Sequence, residues 1–217
     1  GVLKVRKGRS VSGRVVDKGG ASVPGATVVV ATDITGSGSA MLLKADDENK
    51  DIRKTISDEN GRFAIHGLAR AVRVIAADHP ERGRSWTAQI PSGADSLKMD
   101  LHLRAFGSLK GKVTLNGEAL ANPILLLLPT NNAKSQSIVT GASDGVYIFE
   151  KVPEGEFQLR AMQGAGGSTS FEGVSVRVEG GKEATADIRL TTGNINFTAN
   201  ITPKDGATIN FVQGFLF

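Results

Sequence analysis

The chain says nearly the same thing twice. The stretch Val11-Ser12-Gly13-Arg14-Val15-Val16-Asp17-Lys18-Gly19 returns as Leu109-Lys110-Gly111-Lys112-Val113-Thr114-Leu115-Asn116-Gly117, with Gly13 and Gly111 98 positions apart. Downstream, Asp58-Glu59-Asn60-Gly61-Arg62-Phe63-Ala64-Ile65 returns as Ser143-Asp144-Gly145-Val146-Tyr147-Ile148-Phe149. Self-similarity at a period near a hundred residues divides the 217 residues into two small tandem domains. A unit of that size buries enough surface to fold without disulfides or metal. That matters here, because the chain has no cysteine with which to build a disulfide framework or a thiolate metal site.

Within each unit, short period-two runs alternate with turn signals, which predicts an all-β sandwich of about seven strands. The expected first sandwich spans residues 10–104, the second 107–190, and Arg104-Ala105-Phe106-Gly107 joins them. Single strands are expected over Trp86–Ile90, Leu97–Leu103 and Ala184–Leu190. Val23-Pro24-Gly25-Ala26 reads as a turn with Pro fixing φ and Gly free to take a positive φ. Asn60-Gly61 and Asp144-Gly145 read as two-residue hairpin turns. Residues 33–53 have no counterpart of equal length in the second unit, so they form an insertion. Its acidic half is expected to be a mobile loop.

The ends are read as fragments of neighbouring units. Residues 1–9 carry Leu3-Lys4-Val5-Arg6, which resembles Leu101-His102-Leu103-Arg104, the close of the first unit. Residues 191–217 alternate through Ile195, Phe197, Ala199 and Ile201, turn at Lys204-Asp205-Gly206, and continue to Phe215 and Phe217. They form either the first hairpin of a third repeat or a terminal extension that pairs with the second unit. In both cases the apolar face led by Phe211, Phe215 and Phe217 is expected to be covered.

Several motifs together resemble the carboxypeptidase regulatory-like domain. They are Gly13-Arg14-Val15-Val16-Asp17, Val23-Pro24-Gly25-Ala26-Thr27-Val28, Thr55 through Phe63, and Ala76-Ala77-Asp78-His79-Pro80. The second unit keeps Gly111, Asp144-Gly145, Tyr147, Phe149, Val152-Pro153-Glu154-Gly155 and Phe157, but has Asn122-Pro123-Ile124 in place of the Pro-Gly-Ala turn. The resemblance implies two transthyretin-like seven-stranded sandwiches, akin to the B-type repeats of collagen adhesins. It further implies an accessory or spacer module of a secreted or cell-surface protein, with no catalytic residues and no cofactor. Fold analogy alone does not assign function.

The net charge of +4 is spread among interleaved charges of both signs. A nucleic-acid binder concentrates its basic residues with aromatics nearby, so no nucleic-acid partner is expected. No stretch reaches the roughly 20 apolar residues of a membrane span. His66, His79 and His102 lack metal-ligand spacing, and His79 before Pro80 reads as a turn residue. Asp46, Asp47, Glu48, Asn49 and Asp51 cluster oxygens without the spacing of a calcium loop, and read as solvated. Lys112 and Asp187 are conceivable partners for an isopeptide bond of the kind adhesin repeats form, but alternation directs Lys112 to solvent. Sugar-binding sandwiches need an aromatic platform beside polar groups. Trp86, near Arg82, Arg84 and Gln89, is the candidate, against the plainer reading of a Trp covering a sheet edge. The sequence thus points to a non-enzymatic, extracytoplasmic spacer with a protein or cell-envelope partner, or else a glycan- or protein-binding module using Trp86, Arg82 and Arg84.

Overall fold

The computed structural model describes residues 8–37, 40–44, 52–93, 95–130, 138–163 and 173–191, and no helix occurs among them. The first unit holds β1 (Arg9–Val16), β2 (Thr27–Ala31), β3 (Asp33–Ser37), β4 (Ala40–Lys44), β5 (Arg53–Ile56) and β6 (Arg62–Leu68). It continues with β7 (Arg73–His79), β8 (Gly83–Ser85), β9 (Ala88–Ile90), β10 (Ser96–Lys98) and β11 (Leu101–Arg104). The second holds β12 (Phe106–Leu115), β13 (Glu118–Ala119), β14 (Pro123–Pro129), β15 (Ile138–Ser143) and β16 (Val146–Pro153). Then follow β17 (Gly155–Gln163), β18 (Val174–Val178), β19 (Glu183–Thr185) and β20 (Ile188–Leu190).

Each unit is a β-sandwich whose first strand turns the corner between layers. The start of β1 pairs with β6 and with β10, while its end pairs with β11, which leads through β8, β7 and β2 to β5. In the second unit β12 pairs with β16, β19 and β20, and β15 reaches both β16 and the layer β14-β17-β18. Period-two alternation fills both cores, as an antiparallel sandwich requires. Val11, Val15, Val28, Val30, Phe63 and Ile75 close the first, and Leu109, Val113, Leu125, Leu127, Phe149 and Phe157 the second.

Each unit keeps a seven-strand frame once interrupted strands are joined (β8 with β9, β10 with β11, β19 with β20) and the β3–β4 hairpin of the insertion and the two-residue β13 are set aside as additions to it. Those interruptions correct the expectation of single strands over Trp86–Ile90, Leu97–Leu103 and Ala184–Leu190. The cause of two of them is a glycine. A Cβ on Gly13 would lie 1.7 Å from the Met99 carbonyl oxygen, and one on Gly111 1.7 Å from that of Ala186. The final strand therefore bends inward over a bare backbone. At the bend an aspartate takes over from the ladder: Arg14 N–H donates to Asp100 Oδ1 at 3.0 Å, and Lys112 N–H to Asp187 Oδ1 at 3.0 Å.

The turns also divide. Asp144 and Gly145 both take positive φ (50° and 74°) and join β15 to β16 as the expected two-residue hairpin. Asn60-Gly61 does not make one, because only Gly61 has positive φ. Instead Asp58 organises a longer loop, accepting the N–H groups of Asn60 and Arg62 on its carboxylate and receiving Gly61 N–H on its carbonyl at 2.8 Å. Gly25 has φ 74°, as the Pro-Gly turn requires, and the buried Ser57 hydroxyl ties that turn down through Ala26 N–H and the Val23 carbonyl.

The first half of the insertion is a hairpin, β3–β4, whose Ile34 is buried against Ala31 and Ala76 on the outer face of the first sandwich. β3 also pairs in parallel with β15, Ile138 opposite Gly36 and Val139 opposite Ser37, so an element of the first unit extends a sheet of the second. The acidic half, residues 45–51, lies outside the described residues, as do residues 1–7 and the tail from 192 onward.

At the far end of the first unit, Arg9 is buried at 1% exposure. Its guanidinium donates to the carbonyl of Ala69 (2.9 and 2.6 Å) and to those of Ala71 and Pro91. One planar fork thus gathers the segments before β7 and after β9.

Candidate functional site

Trp86 sits in the gap between β8 and β9. The gap is made by Ser85, whose buried hydroxyl accepts Ala77 N–H at 2.9 Å and donates to the Trp86 carbonyl at 3.0 Å. Released from the ladder, the indole turns out of its own sandwich and packs against the core of the second one. It meets the Phe157 ring edge-on at 5.8 Å and 65°, and its far edge lies where a Cβ on Gly155 would be 2.9 Å away. The Arg104 guanidinium stacks over the indole at 5.1 Å and donates to the Glu154 carbonyl at 3.2 Å. Edge-to-face and cation–π contacts of this kind each add about 1 kcal/mol to the area buried.

The three candidate ligand-binding residues occupy different environments. Arg84 is 1% exposed, pairs with Asp78 (Nε to Oδ1, 2.7 Å) and lies over the Phe106 ring at 5.6 Å. Its chain neighbour Gly83, at φ 116°, lets the backbone come so close that a Cβ there would be 1.9 Å from the Arg104 carbonyl oxygen. Arg82 points elsewhere, to Asp17 at 2.7 Å on the surface. Trp86 instead shares a hollow of about 500 Å³ with Gln89, Asp100, His102 and Arg104. The Trp86–Gln89 proximity was legible in the sequence; Asp100, His102 and Arg104 come from another strand, and only the fold brings them in.

The linker is held by backbone bonds as well. Glu154 N–H donates to the Ala105 carbonyl at 2.9 Å and Gly181 N–H to that of Phe106 at 2.8 Å. Lys18, from the first unit, pairs with Glu154 at 3.1 Å across a cleft of about 490 Å³ that Arg104, Glu156, Arg177 and Glu179 also line. Charges of both signs alternate there, with Arg177 between Glu156 (3.6 Å) and Glu179 (3.7 Å). Glu179 has its pKa lowered, first by the hydrogen bond from Lys182 and then by that cation's charge.

The remaining candidates are structural in their geometry. His79 Nδ1 accepts the N–H groups of Glu81 (3.3 Å) and Arg82 (3.2 Å), closing the turn after β7. His66 lies on the exposed face of β6 and His102 at the rim of the Trp86 hollow. The Lys112 side chain faces solvent, and Asp187 is engaged by the Lys112 backbone. Among the described residues no three His, Cys, Asp or Glu side chains come together as a metal site.

Residues 10–104 match the family model of the carboxypeptidase regulatory-like domain. No curated protein matches the chain at a significant level. Among solved structures, the chain is similar to GBS52, the minor pilin of the gram-positive pathogen Streptococcus agalactiae, at 11% identity and TM-score 0.40, covering 89% of this chain and 100% of that one. It is also similar to a streptococcal ancillary pilin (12% identity, TM-score 0.39, 85% of this chain and 62% of that one). The Bacillus anthracis TIE protein aligns at 12% identity and TM-score 0.36 over 85% of this chain, which spans only 34% of that protein.

Proposed function

We propose that this chain is a non-catalytic spacer of an extracytoplasmic protein, in which two regulatory-like sandwiches, residues 10–104 and 107–190, are held at a fixed angle. The observation that carries this reading is Trp86, a half-buried side chain of the first unit packed against the core of the second, with Arg104 stacked over it. A flexible tether needs none of this; a linker of one residue between β11 and β12, closed by hydrogen bonds on both sides, suits a rigid rod. The second unit is read as a divergent copy of the first because it repeats its glycine contact and its aspartate bond at the same strand bend. In this reading a protein or envelope component is the partner at the ends of the rod. The test is the width of a spin-label distance distribution between cysteines placed at Glu59 and Glu150, both exposed, in a chain that has no cysteine of its own. A narrow distribution that Trp86→Ala broadens is expected; a broad one in the intact chain sinks the proposal.

A second reading rests on the hollow beside the indole. Trp86 with Gln89, Asp100 and His102 combines a ring with hydrogen-bonding groups, as a sugar site does. It predicts glycan or protein binding that Trp86→Ala removes and that Gln89→Ala weakens without altering the distance distribution. Arg82 and Arg84 do not line this hollow; they pair with Asp17 and Asp78.

A further inference from the structure

At the strand bend the two sandwiches carry different charge on the same outer face. In the first unit Arg14 on β1 lies directly opposite Arg62 on β6, and Ser12 lies opposite Lys98 on β10. These residues line a hollow of about 520 Å³ in which Asp100 is the one carboxylate. Arg14 occupies both of its oxygens, Oδ1 through the backbone N–H at 3.0 Å and Oδ2 through the guanidinium at 3.3 Å. The Arg62 and Lys98 side chains are exposed and have no ion pair or hydrogen bond among the described residues. Like charges directly opposite each other on neighbouring strands destabilise a sheet. The fold does not require them. In the second unit Val146 stands at the position of Arg62, opposite Lys112, and Thr185 at that of Lys98, opposite Lys110. Lys110 there pairs with Glu183 at 2.6 Å, where the first unit has Ser96. The second unit thus sets two cations, Lys110 and Lys112, against two carboxylates, Glu183 and Asp187. The first sets Arg14, Arg62 and Lys98 against Asp100 alone.

We propose that this hollow of the first sandwich binds an acidic polysaccharide, with a carboxylate or sulfate group of one sugar held between Arg62 and Lys98. An external anion offsets the repulsion between Arg14 and Arg62, which Asp100 cannot do for Arg62 because Arg14 already engages both its oxygens. The hollow is of a size that holds a sugar unit. The half-buried Ser12 hydroxyl between the cations and the Asp100 carboxylate beside them offer hydrogen bonds to the neutral hydroxyls of the same ring. Other polyanions fit less well. The hollow has no exposed ring on which a nucleobase could stack, since Phe63 is 5% exposed. Its outward neighbours Ala64 and Ser96 are too short to enter a bilayer. Along the hollow β1 is paired with β6 on one side and β10 on the other, so an acidic peptide finds no free strand edge on which to align. The site lies apart from the hollow beside Trp86, which different residues line.

The experiment titrates the full chain at low salt, by calorimetry, with a heparin oligosaccharide, an oligogalacturonate and a neutral maltooligosaccharide. Binding of heparin is expected, and none of the neutral sugar. Binding of oligogalacturonate as well assigns the held group as a carboxylate, and heparin alone assigns it as a sulfate. The decisive variant gives the first unit the side chains of the second: Arg62→Val with Lys98→Thr. It is expected to weaken binding roughly tenfold or more, while the thermal midpoint stays the same or rises as the Arg14–Arg62 repulsion is relieved. Lys112→Thr, the matching cation of the second unit, and Trp86→Ala are each expected to leave affinity within about twofold. Failure of both acidic sugars to bind overturns the proposal, as does equal binding of the neutral one. So does an affinity that the double variant leaves unchanged, or one that Lys112→Thr or Trp86→Ala lowers as much. Binding of oligoglutamate or oligothymidylate as tight as that of heparin overturns the assignment to a polysaccharide. None of these readouts depends on whether the chain acts as a spacer.

Discussion

The Asp100 carboxylate accepts the backbone N–H of Arg14 at 3.0 Å, at the point where β10 gives way to β11. Asp187 does the same for Lys112 in the second unit at the same distance. A side chain here replaces a carbonyl lost from the ladder. Asp100→Ala and Asp187→Ala are each expected to cost about 1 kcal/mol, the worth of one partly exposed hydrogen bond. Urea unfolding measures it; no change in either variant means water replaces the aspartate without loss.

The glycine beneath each bend is less forgiving. Gly111→Ala forces a methyl group onto the Ala186 carbonyl, so a loss of about 3 kcal/mol or more is expected, with Gly13→Ala alike. Gly141 is the control: nothing lies within 4 Å of its Cβ position and its φ is not positive. Gly141→Ala should therefore leave the thermal midpoint unchanged or raise it slightly.

Arg9 replaces water for three carbonyl groups at once. Arg9→Met keeps the aliphatic stem but leaves the Ala69, Ala71 and Pro91 oxygens without that donor. The expected cost is about 3 kcal/mol, and Arg9→Lys should recover less than half, because an ammonium lacks the planar fork. Burial, then Arg73 and Arg70, lowers the Arg9 pKa, yet a guanidinium stays charged throughout the working range.

The single tyrosine gives a pH test. Tyr147 is 2% exposed and donates to the Ala186 carbonyl at 2.5 Å. Burial, then the charge of Asp187, raises its pKa above the usual phenol value. The folded state thus holds its proton where the unfolded chain releases it, near pH 10. Stability is unaffected below that value and falls as pH rises above it. Absorbance at 295 nm should show no tyrosinate in the folded protein at pH 11, and its appearance should coincide with unfolding. A simple titration near pH 10 in the folded protein contradicts this.

The parts of the fold that turn on local chemistry were readable from the residues. Gly25 marks the Pro-Gly turn and Asp144-Gly145 the tight hairpin, because each needs a backbone that few other residues permit; Gly13 and Gly111 were legible only as a repeat, and the bends over them were not, because Met99 and Ala186 meet them from strands far along the chain. Asn60-Gly61 misled, since the same dipeptide serves a two-residue turn or the end of a loop organised by Asp58, and the choice depends on which strand β5 pairs with. β5 pairs with β2. Trp86 was singled out for its ring, but its partner Phe157 is 71 positions away and faces it only because Ser85 breaks the ladder. The pairing of β3 with β15 left no local mark at all, since sheet edges carry no signature of what they join.

In both sandwiches the first and last strands run parallel side by side: β1 with β10 and β11, β12 with β19 and β20. Tension applied to the start of β1 and the end of β11 drags the two past each other, so the hydrogen bonds between them share the load and break together instead of peeling one by one. Units pulled in this way are therefore expected to yield by shear. Pulling single molecules by the two ends should give two abrupt rupture peaks, and a smooth, low-force extension is the result that contradicts this mechanical role for parallel terminal strands.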